Sequence, residues 1–574
     1  MASGMLGTAI TGLQAFQRSL ETTSHNISNV NTEGYSRQRV DLVTNKEQMI
    51  GVGYLGTGVS INNITRSYDQ FITTQLRSST SAFGDVDKYS QLASQVDDIM
   101  ADPSVGMEPA IKNFFNAVNE ATNDPSSIPA RQVMLSETEI LTSRFDTMNS
   151  RFRQIREQIN TDMVVMADEI TSFAVSIANL NVQIANAQGQ ASGDQQPNDL
   201  LDKRDAVLNQ LAELVDISVV PSNSNMVSVF MGKGQVLVLD TVFNKVITQP
   251  STFDPSKLEV GIKTDAGTIG IVTNEITGGA LAGTIRFRTE VLDPAQQRLG
   301  SVAASIAMEF NGIHSSGYDL DGVLGGTFFS GLSSIEVAQN SNNTGGMSLT
   351  VTFDSTSANI QNIDYSDFKV EMTGTGPNVY KLTRVSTNTS YNLTESAGNL
   401  VPANPATDKL PGIVIAFSGA ANVGDDFLIR PTFEAASKIA VGLTDPRKLA
   451  LATNQSPDGS YTITGPMPGD NRNGLLLAGL ENKRGMLGGT ASFQDSYGLV
   501  VSEVGVLTGA AKIASAAQET LLNNAKDAWS NVSGVNLDEE AANLIKFQQS
   551  YQAAAQMISV SDTLFNSLLG AVRG

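Results

Sequence analysis

Apolar residues recur in alternating steps of four and three along three separate stretches of this chain, and no other feature narrows its possible folds so far. Such steps place side chains on one helical face and make a coiled-coil seam. The longest runs through Leu141, Phe145, Met148, Phe152, Ile155, Ile159, Met163, Met166, Ile170, Phe173, Ile177, Leu180 and Ile184. Its one break is two successive steps of four around Ile159, a stutter that locally unwinds a supercoil. An unbroken helix over residues 130–187 is on the order of 85 Å long and predicts an elongated rod.

The two ends share the pattern. Leu6, Ile10, Leu13, Gln17, Leu20, Ser24 and Ile27 follow it at the start. Leu537, Ala541, Leu544, Gln548, Tyr551, Ala555, Ile558, Asp562, Phe565, Leu569 and Val572 follow it at the finish. Polar residues interrupt both seams, so each is weak alone, and the two are expected to pair. Within "SHNISNVNTEGYSRQ" (24–38), Asn26, Asn29 and Asn31 can satisfy backbone groups where the first helix ends. Gly34 sits where a left-handed residue stops a helix, and the exposed-looking Tyr35 can anchor the following segment against a neighbouring subunit. Asn536 or Asp538 can cap the last helix, with Glu539 and Glu540 favourable in its first turn.

Between the ends the texture changes. Residues 197–215 carry a shorter helical pattern. From Ile217 to about 283, short runs such as "MVSVFM" and "QVLVL" are broken by Pro221, Asn223 and Gly232, which reads as β structure. Helical spacing returns through Leu299, Val302, Ile306 and Phe310, and a second β-rich stretch runs from about 326 to 433. Helical periodicity resumes from about 434, with a glycine-rich interruption near 465–490. The fold class is therefore α+β and multidomain: paired terminal coiled-coil helices, a long helical rod domain and inserted β-rich outer domains. The expected division is 1–70 with 535–574 as a terminal helical assembly domain and 71–215 with 284–325 and 434–534 as the rod domain. Residues 216–283 form a β-rich domain, and 326–433 a variable β-rich outer domain.

Composition removes several classes of function. A formal net charge of −21 argues against nucleic acid and anionic membranes as partners. There is no cysteine and only His25 and His314, which excludes disulfides, thiolate chemistry and a close histidine pair for a metal. Charged residues are only 17% of the chain, and a surface short of charge suits contact with other chains. The start lacks a basic region and a continuous apolar core, so no secretory signal peptide is expected; nor is a transmembrane helix.

Motifs of the kind that carry chemistry elsewhere do not assemble a site. "GVGYLG" (51–56) matches a dinucleotide-binding pattern, but the extended-looking "TGVSINNITRSYD" follows it where a helix is needed, so a turn between strands is expected. "YDLDG" (318–322) lacks the ligands of a calcium loop and reads as a turn. His25 suits a polar role at the helix end. No nucleophile, base and oxyanion site come together, so the chain reads as no enzyme, with no cofactor and no metal.

The terminal motifs point to a family. "LGTAITGLQAFQRSLETTSHNISNVNTEGYSRQRV" resembles the N-terminal signature of bacterial flagellar axial proteins, the rod, hook and hook-associated proteins. "VNLDEEAANLIKFQQSYQAAAQMISVSDTLFNSLL" resembles their matching terminal helix. "GYSRQ", "NDLLDKRD", "DPAQQRLG", "YDQFITTQLR" and "GDDFLIRPT" narrow the resemblance to the hook-associated branch that forms the first hook–filament junction.

That resemblance implies a structural subunit outside the cell, joining hook to filament and exported unfolded through the flagellar type III channel. It implies self-assembly as a ring or helical homo-oligomer. It further implies contacts with the hook protein, with a second junction protein (hook-associated protein 3) and with an export chaperone. The assembly interface expected is Leu6, Ile10, Leu13, Leu20, Asn26, Ile27, Asn29, Asn31, Gly34 and Tyr35 with Leu537, Ala541, Leu544, Tyr551, Ala555, Ile558, Phe565 and Leu569. Termini this weakly seamed are expected to order only on assembly. The alternatives are a hook or distal rod protein, against which the long helix speaks, and a surface-binding module in the outer β domain.

Overall fold

The computed structural model describes residues 2–50, 53–102, 104, 106–190, 195–264, 266–354, 363, 365–374, 379–453 and 467–573. Its helices are α1 (Ala2–Ser28), α2 (Gln70–Ala101), α3 (Met107–Asn123), α4 (Ile128–Gln190), α5 (Asn198–Leu214), α6 (Gly279–Phe287), α7 (Asp293–His314), α8 (Ala435–Lys438), α9 (Arg472–Gly479), α10 (Phe493–Ser533) and α11 (Leu537–Arg573).

The long seam produces a single helix, α4, of 63 residues. Its apolar stripe from Leu141 to Ile184 is buried apart from half-buried Phe173 and Leu180, and burial of each large side chain contributes about 1.5–3 kcal/mol. Against this spine pack α3, α5, α6, α7 and α8, and α2, α9 and α10 pack in turn on those helices. A single π-helical turn, Arg288–Leu292, carries α6 into α7. By length and composition α4 and the C-terminal helical stretch Phe493–Ala571 are apolar enough to cross a membrane, against the expectation from sequence. In α4 the apolar stripe is the inside of the protein's main core.

Two antiparallel sheets fill residues 217–271, one of four strands (β5–β8, Ile217–Phe243) and one of three (β9–β11, Lys245–Ile271). Val229, Leu237, Val246 and Val260 join the core of the helical body. This β region therefore shares its core with the rod instead of standing as a separate outer domain.

The second β region is separate. Eight antiparallel strands (β13–β20, Glu336–Arg430) form one sheet whose end strands meet through an Ile335–Val351 bridge, closing it into a barrel. Alternation fills its interior: Tyr380 and Leu382 on one strand, Ile413 and Ile415 on another, pack with Val370, Leu393 and Ile429 in an independent apolar cluster.

Two expectations need correction. After Lys438 the chain is largely irregular up to α9, with a short strand β21 (Ala440–Val441), which pairs with β12 (Phe329–Ser330), and one 3₁₀ turn; residues 454–466 lie outside those described. The N-terminal unit is also not purely helical. β1 (Gln38–Thr44) pairs antiparallel with β4 (Val59–Arg66), and a small hairpin, β2 (Gln48–Ile50) and β3 (Gly53–Leu55), extends from them. Within "GVGYLG", Gly53–Leu55 is strand β3 and not a helix start, and the turn expected at Gly51 and Val52 lies outside the described residues.

Candidate functional site

The terminal helices pair: α1 lies along α11. The face they use is not the predicted one. On α1 the buried positions are Ala9, Gly12, Ala15, Ser19, Thr22, Thr23 and Asn26, with Phe16 half-buried; on α11 Glu540, Ala554 and Ser561 are buried and Asn543, Phe547 and Ser550 half-buried. Apart from Ala15 and Thr22, each stands one residue before a predicted seam position, which is about 100° round a helix. Small and polar side chains make up the buried part of the pair, with Phe16 and Phe547 at its margin. Leu6, Leu13, Leu20 and Ile27 are left half-buried and Ile10 is 41% exposed. On α11, Leu544, Tyr551 and Ile558 are half-buried, and Leu537, Ala541, Ala555, Phe565 and Leu569 are exposed. The side chain of Val572 lies outside those described.

Asn26 organises the end of the pair. Its Nδ2 donates to Gln38 O at 2.8 Å and to Glu540 Oε2 at 3.1 Å. Its Oδ1 accepts from the Tyr35 hydroxyl at 2.8 Å and from Gln38 N–H at 2.9 Å. All four hydrogen-bonding positions of a buried amide are thus used. Tyr35 is buried, not exposed, and its hydroxyl pKa is pushed up chiefly by burial. Since Tyr35 donates to Asn26, its oxygen accepts from His25 Nδ1 at 3.0 Å. Asn26 and Tyr35 are therefore buried within the single chain and hold its own fold. Of the other two asparagines, Asn29 donates from Nδ2 to His25 O, as expected at a helix end, and Asn31 is exposed in the turn.

Arg37 completes the junction. It donates from Nε to Glu540 and from Nη1 to Glu539, each at 2.7 Å, and its backbone N–H donates to Ser533 O. The carboxylates that open α11 thus hold the N-terminal segment as well as favouring a helix start. Asn536 caps α11, its Oδ1 accepting from Asp538 N and Glu539 N.

A second joint ties this terminal unit to the helical body through α5. Gly34 has φ +76°, and a Cβ there would stand 2.9 Å from the Cβ of Ala206. The motif "NDLLDKRD" supplies the rest. Asn198 donates to Ile64 O and Asp199 accepts from Gln38 Nε2. Asp202 accepts from Ser36 N and Arg66, and Asp205 accepts from Arg66 and Arg77. Burial pushes the Asp202 carboxyl up, while these donors pull it down.

The third joint holds the barrel on the body. Arg430, nearly buried, donates to Asp254 at 2.8 Å, lies 3.5 Å from Asp367 and stacks on Phe433. Gln296 of "DPAQQRLG" bonds Arg156 and Asn149 of α4. Gly300 lets Thr432 O come so near that a Cβ would collide with it. The other histidine, His314, is buried, with Ala450 N donating to its Nε2 and its Nδ1 donating to Gly326 O.

Arg37, Gln38, Glu540, Asp202 and Asp205 went unpredicted as a set. "GYSRQ" and "NDLLDKRD" mark them in sequence, but nothing local says that they meet.

Both ends match flagellar rod families: residues 6–35 the family described as "Flagella basal body rod protein", and 529–571 "Flagellar basal body rod FlgEFG protein C-terminal". With paired ends and a nested body, the molecule is a flagellar axial protein. Residues 93–329 match "Flagellar hook-associated protein FlgK helical domain" and 338–431 "Flagellar hook-associated protein 1, D2-like domain".

The chain belongs to the flagellar hook-associated protein 1 family. It is 31% identical to flagellar hook-associated protein 1 of Escherichia coli K12 over 569 residues, 99% of each chain. It is 23% identical to that of Bacillus subtilis over 605 residues, covering 100% of this chain and 99% of the other. The structure of the flagellar hook junction protein FlgK from Burkholderia pseudomallei shares the fold, with a TM-score of 0.70 and 24% identity, over 80% of this chain and 100% of that one. The protein is a structural component of the flagellum, outside the cell at the hook–filament junction.

Proposed function

We propose that copies of this chain assemble through the terminal unit, residues 1–70 with 535–574, and that its helices order fully only when neighbours cover them. The carrying observation is the division of labour around each terminal helix. Small and polar residues make the buried part of the α1–α11 pair, while Leu6, Ile10, Leu13, Leu20 and Ile27 are left partly uncovered. Leu537, Ala541, Leu544, Tyr551, Ala555, Ile558, Phe565 and Leu569 are likewise half-buried or exposed on α11. Asn29, Asn31 and Gly34 border this surface. Among the described residues, none of α1 or α11 belongs to the three apolar clusters. A pair with so little buried apolar area is marginal by itself.

In this reading the helical body with residues 216–283 is the rigid wall of the junction and the barrel its outer layer. One end of the ring meets the hook protein and the other a second junction protein, with an export chaperone holding the chain before assembly. The role is structural and requires no catalysis.

Limited proteolysis of purified monomer, read by mass spectrometry, tests it. The expected result is rapid loss of both ends to a stable core from near residue 70 to near 535. Resistant ends would mean that they already fold in the monomer, and ordering on assembly would be rejected.

A further inference from the structure

The hairpin β2–β3 holds two large side chains out in solvent. Met49 and Tyr54 are register partners, so they share one face of the hairpin, and they are 71% and 72% exposed. The base of the hairpin is fixed. Thr57 Oγ1 donates to Lys46 O, and Gly58, at φ +112°, lies so close to α1 that a Cβ would collide with Thr11. A stalk fixed at its base therefore carries an apolar knob that is largely exposed among the described residues of its own chain.

The same unit carries an open groove of about 420 Å³ between α1, β4 and α11. Ala9, Gly12, Ala553 and Ala554 line it together with Phe16 and Met557. Gly12 keeps it open: a Cβ there would meet only Phe16, at 3.8 Å.

The geometry points to a head-to-tail contact in which the Met49–Tyr54 knob of one copy seats in the α1–α11 groove of the next. This rests on the reading that the terminal unit is the assembly element. Charge identifies the occupant as a second copy. Residues 2–17, 48–65 and 547–561, which supply groove and knob, contain no Asp, Glu, Lys, Arg or His, in a chain of net charge −21. Copies of so acidic a chain repel one another, so a self-contact is favoured where both faces are uncharged. Knob and groove are different patches, which makes the contact heterologous. Repetition of such a contact generates a ring or a helix.

The absence of cysteine makes the test clean. Full-length Tyr54→Cys, Ala553→Cys and the double variant, all at exposed positions, are assembled into flagella and oxidised. The double variant is expected to give an SDS-stable ladder of multimers, and each single variant none. Gly12→Leu, which fills the groove, is expected to abolish the ladder. An intramolecular cross-link, a ladder from Tyr54→Cys alone, or no cross-link from the double variant would each overturn the proposal. Maleimide labelling of Ile10→Cys, before and after assembly, separates the two claims. Protection of Ile10→Cys without a Tyr54–Ala553 ladder keeps the terminal unit as assembly element and rejects the knob. Continued labelling of Ile10→Cys rejects the underlying reading. If the cysteine variants do not assemble, Tyr54→Phe and Tyr54→Asp decide. Assembly kept with Phe and lost with Asp supports the knob; any other pattern overturns it.

Discussion

Asn26 donates from Nδ2 to Glu540 Oε2 at 3.1 Å, joining side chains 514 positions apart in sequence. Because the same amide also bonds Tyr35 and both backbone groups of Gln38, Asn26→Ala leaves several buried polar groups without partners. Each such group costs about 1–3 kcal/mol. The expected outcome is loss of junction assembly, with thermal unfolding of the helical body unchanged. Asn26→Asp is expected to be worse, since it faces the Glu540 carboxylate and lacks both N–H donors.

The two faces of α1 should respond differently. Ile10→Asp, on the uncovered stripe, is expected to leave the body's melting unchanged while abolishing assembly. Ala15→Leu, on a fully buried small residue, overpacks the helix pair by about 1–3 kcal/mol. Tryptophan fluorescence and flagellar length distributions measure body and assembly separately. Equal effects from both variants would contradict the division of faces.

Gly34→Ala combines a left-handed backbone, which costs a residue with a Cβ about 1–2 kcal/mol, with a 2.9 Å approach to Ala206. The joint to α5 should loosen. Hydrogen exchange over residues 34–38 should accelerate, with exchange in the barrel unaltered.

Arg66 sits between Asp202 and Asp205 at 3.0 and 2.5 Å, all largely shielded from water. Arg66→Met leaves Asp202 without a cationic partner, and breaking a buried pair costs about 3–5 kcal/mol. A lower melting temperature and new cleavage near residues 66–70 are expected, because Arg77 can serve only Asp205.

The barrel's attachment should depend on pH through Asp367, whose carboxyl is pushed up to about 6 from 3.8 by burial, against the opposing pull of Arg430. A raised folded-state pKa means that the folded form binds the proton more tightly. The penalty is full above pH about 6 and is relieved as pH falls toward 3.8. Glu336, also pushed up by burial, adds in the same sense. Asp254 is held low by Ser256 and Arg430 despite its burial, so its contribution fades only below pH 3.8. Barrel stability, followed by hydrogen exchange in strands β13–β20, should therefore rise between pH 6 and 4. Asp367→Asn should flatten that rise.

The sequence by itself determined the long helix, the pairing of the two ends and the β character of both insertions. These follow from local periodicity: a stripe such as Leu141 to Ile184 has one low-energy arrangement, with that stripe inside. A cap at Asn536, one of the two the sequence offered, was legible for the same reason, since it concerns only neighbouring residues, whereas Gly34 is left-handed but does not stop the first helix, which ends at Ser28.

Tertiary structure alone decided which face each terminal helix turns to its partner. Seams at 9, 12, 16 and at 10, 13, 17 have the same period. Size alone suggests burying Ile10 and Leu13, yet the close approach that small residues permit selects Ala9 and Gly12. It also decided that Tyr35 is buried, because the cover comes from Asn26, Gln38 and α5, which no local pattern brings together. The 217–271 sheets joined the main core for a similar reason: their apolar faces meet α4, a partner tens of residues earlier in the chain. Contacts of long sequence separation leave no periodic trace, and here they set the joints between the terminal unit, the helical body and the barrel.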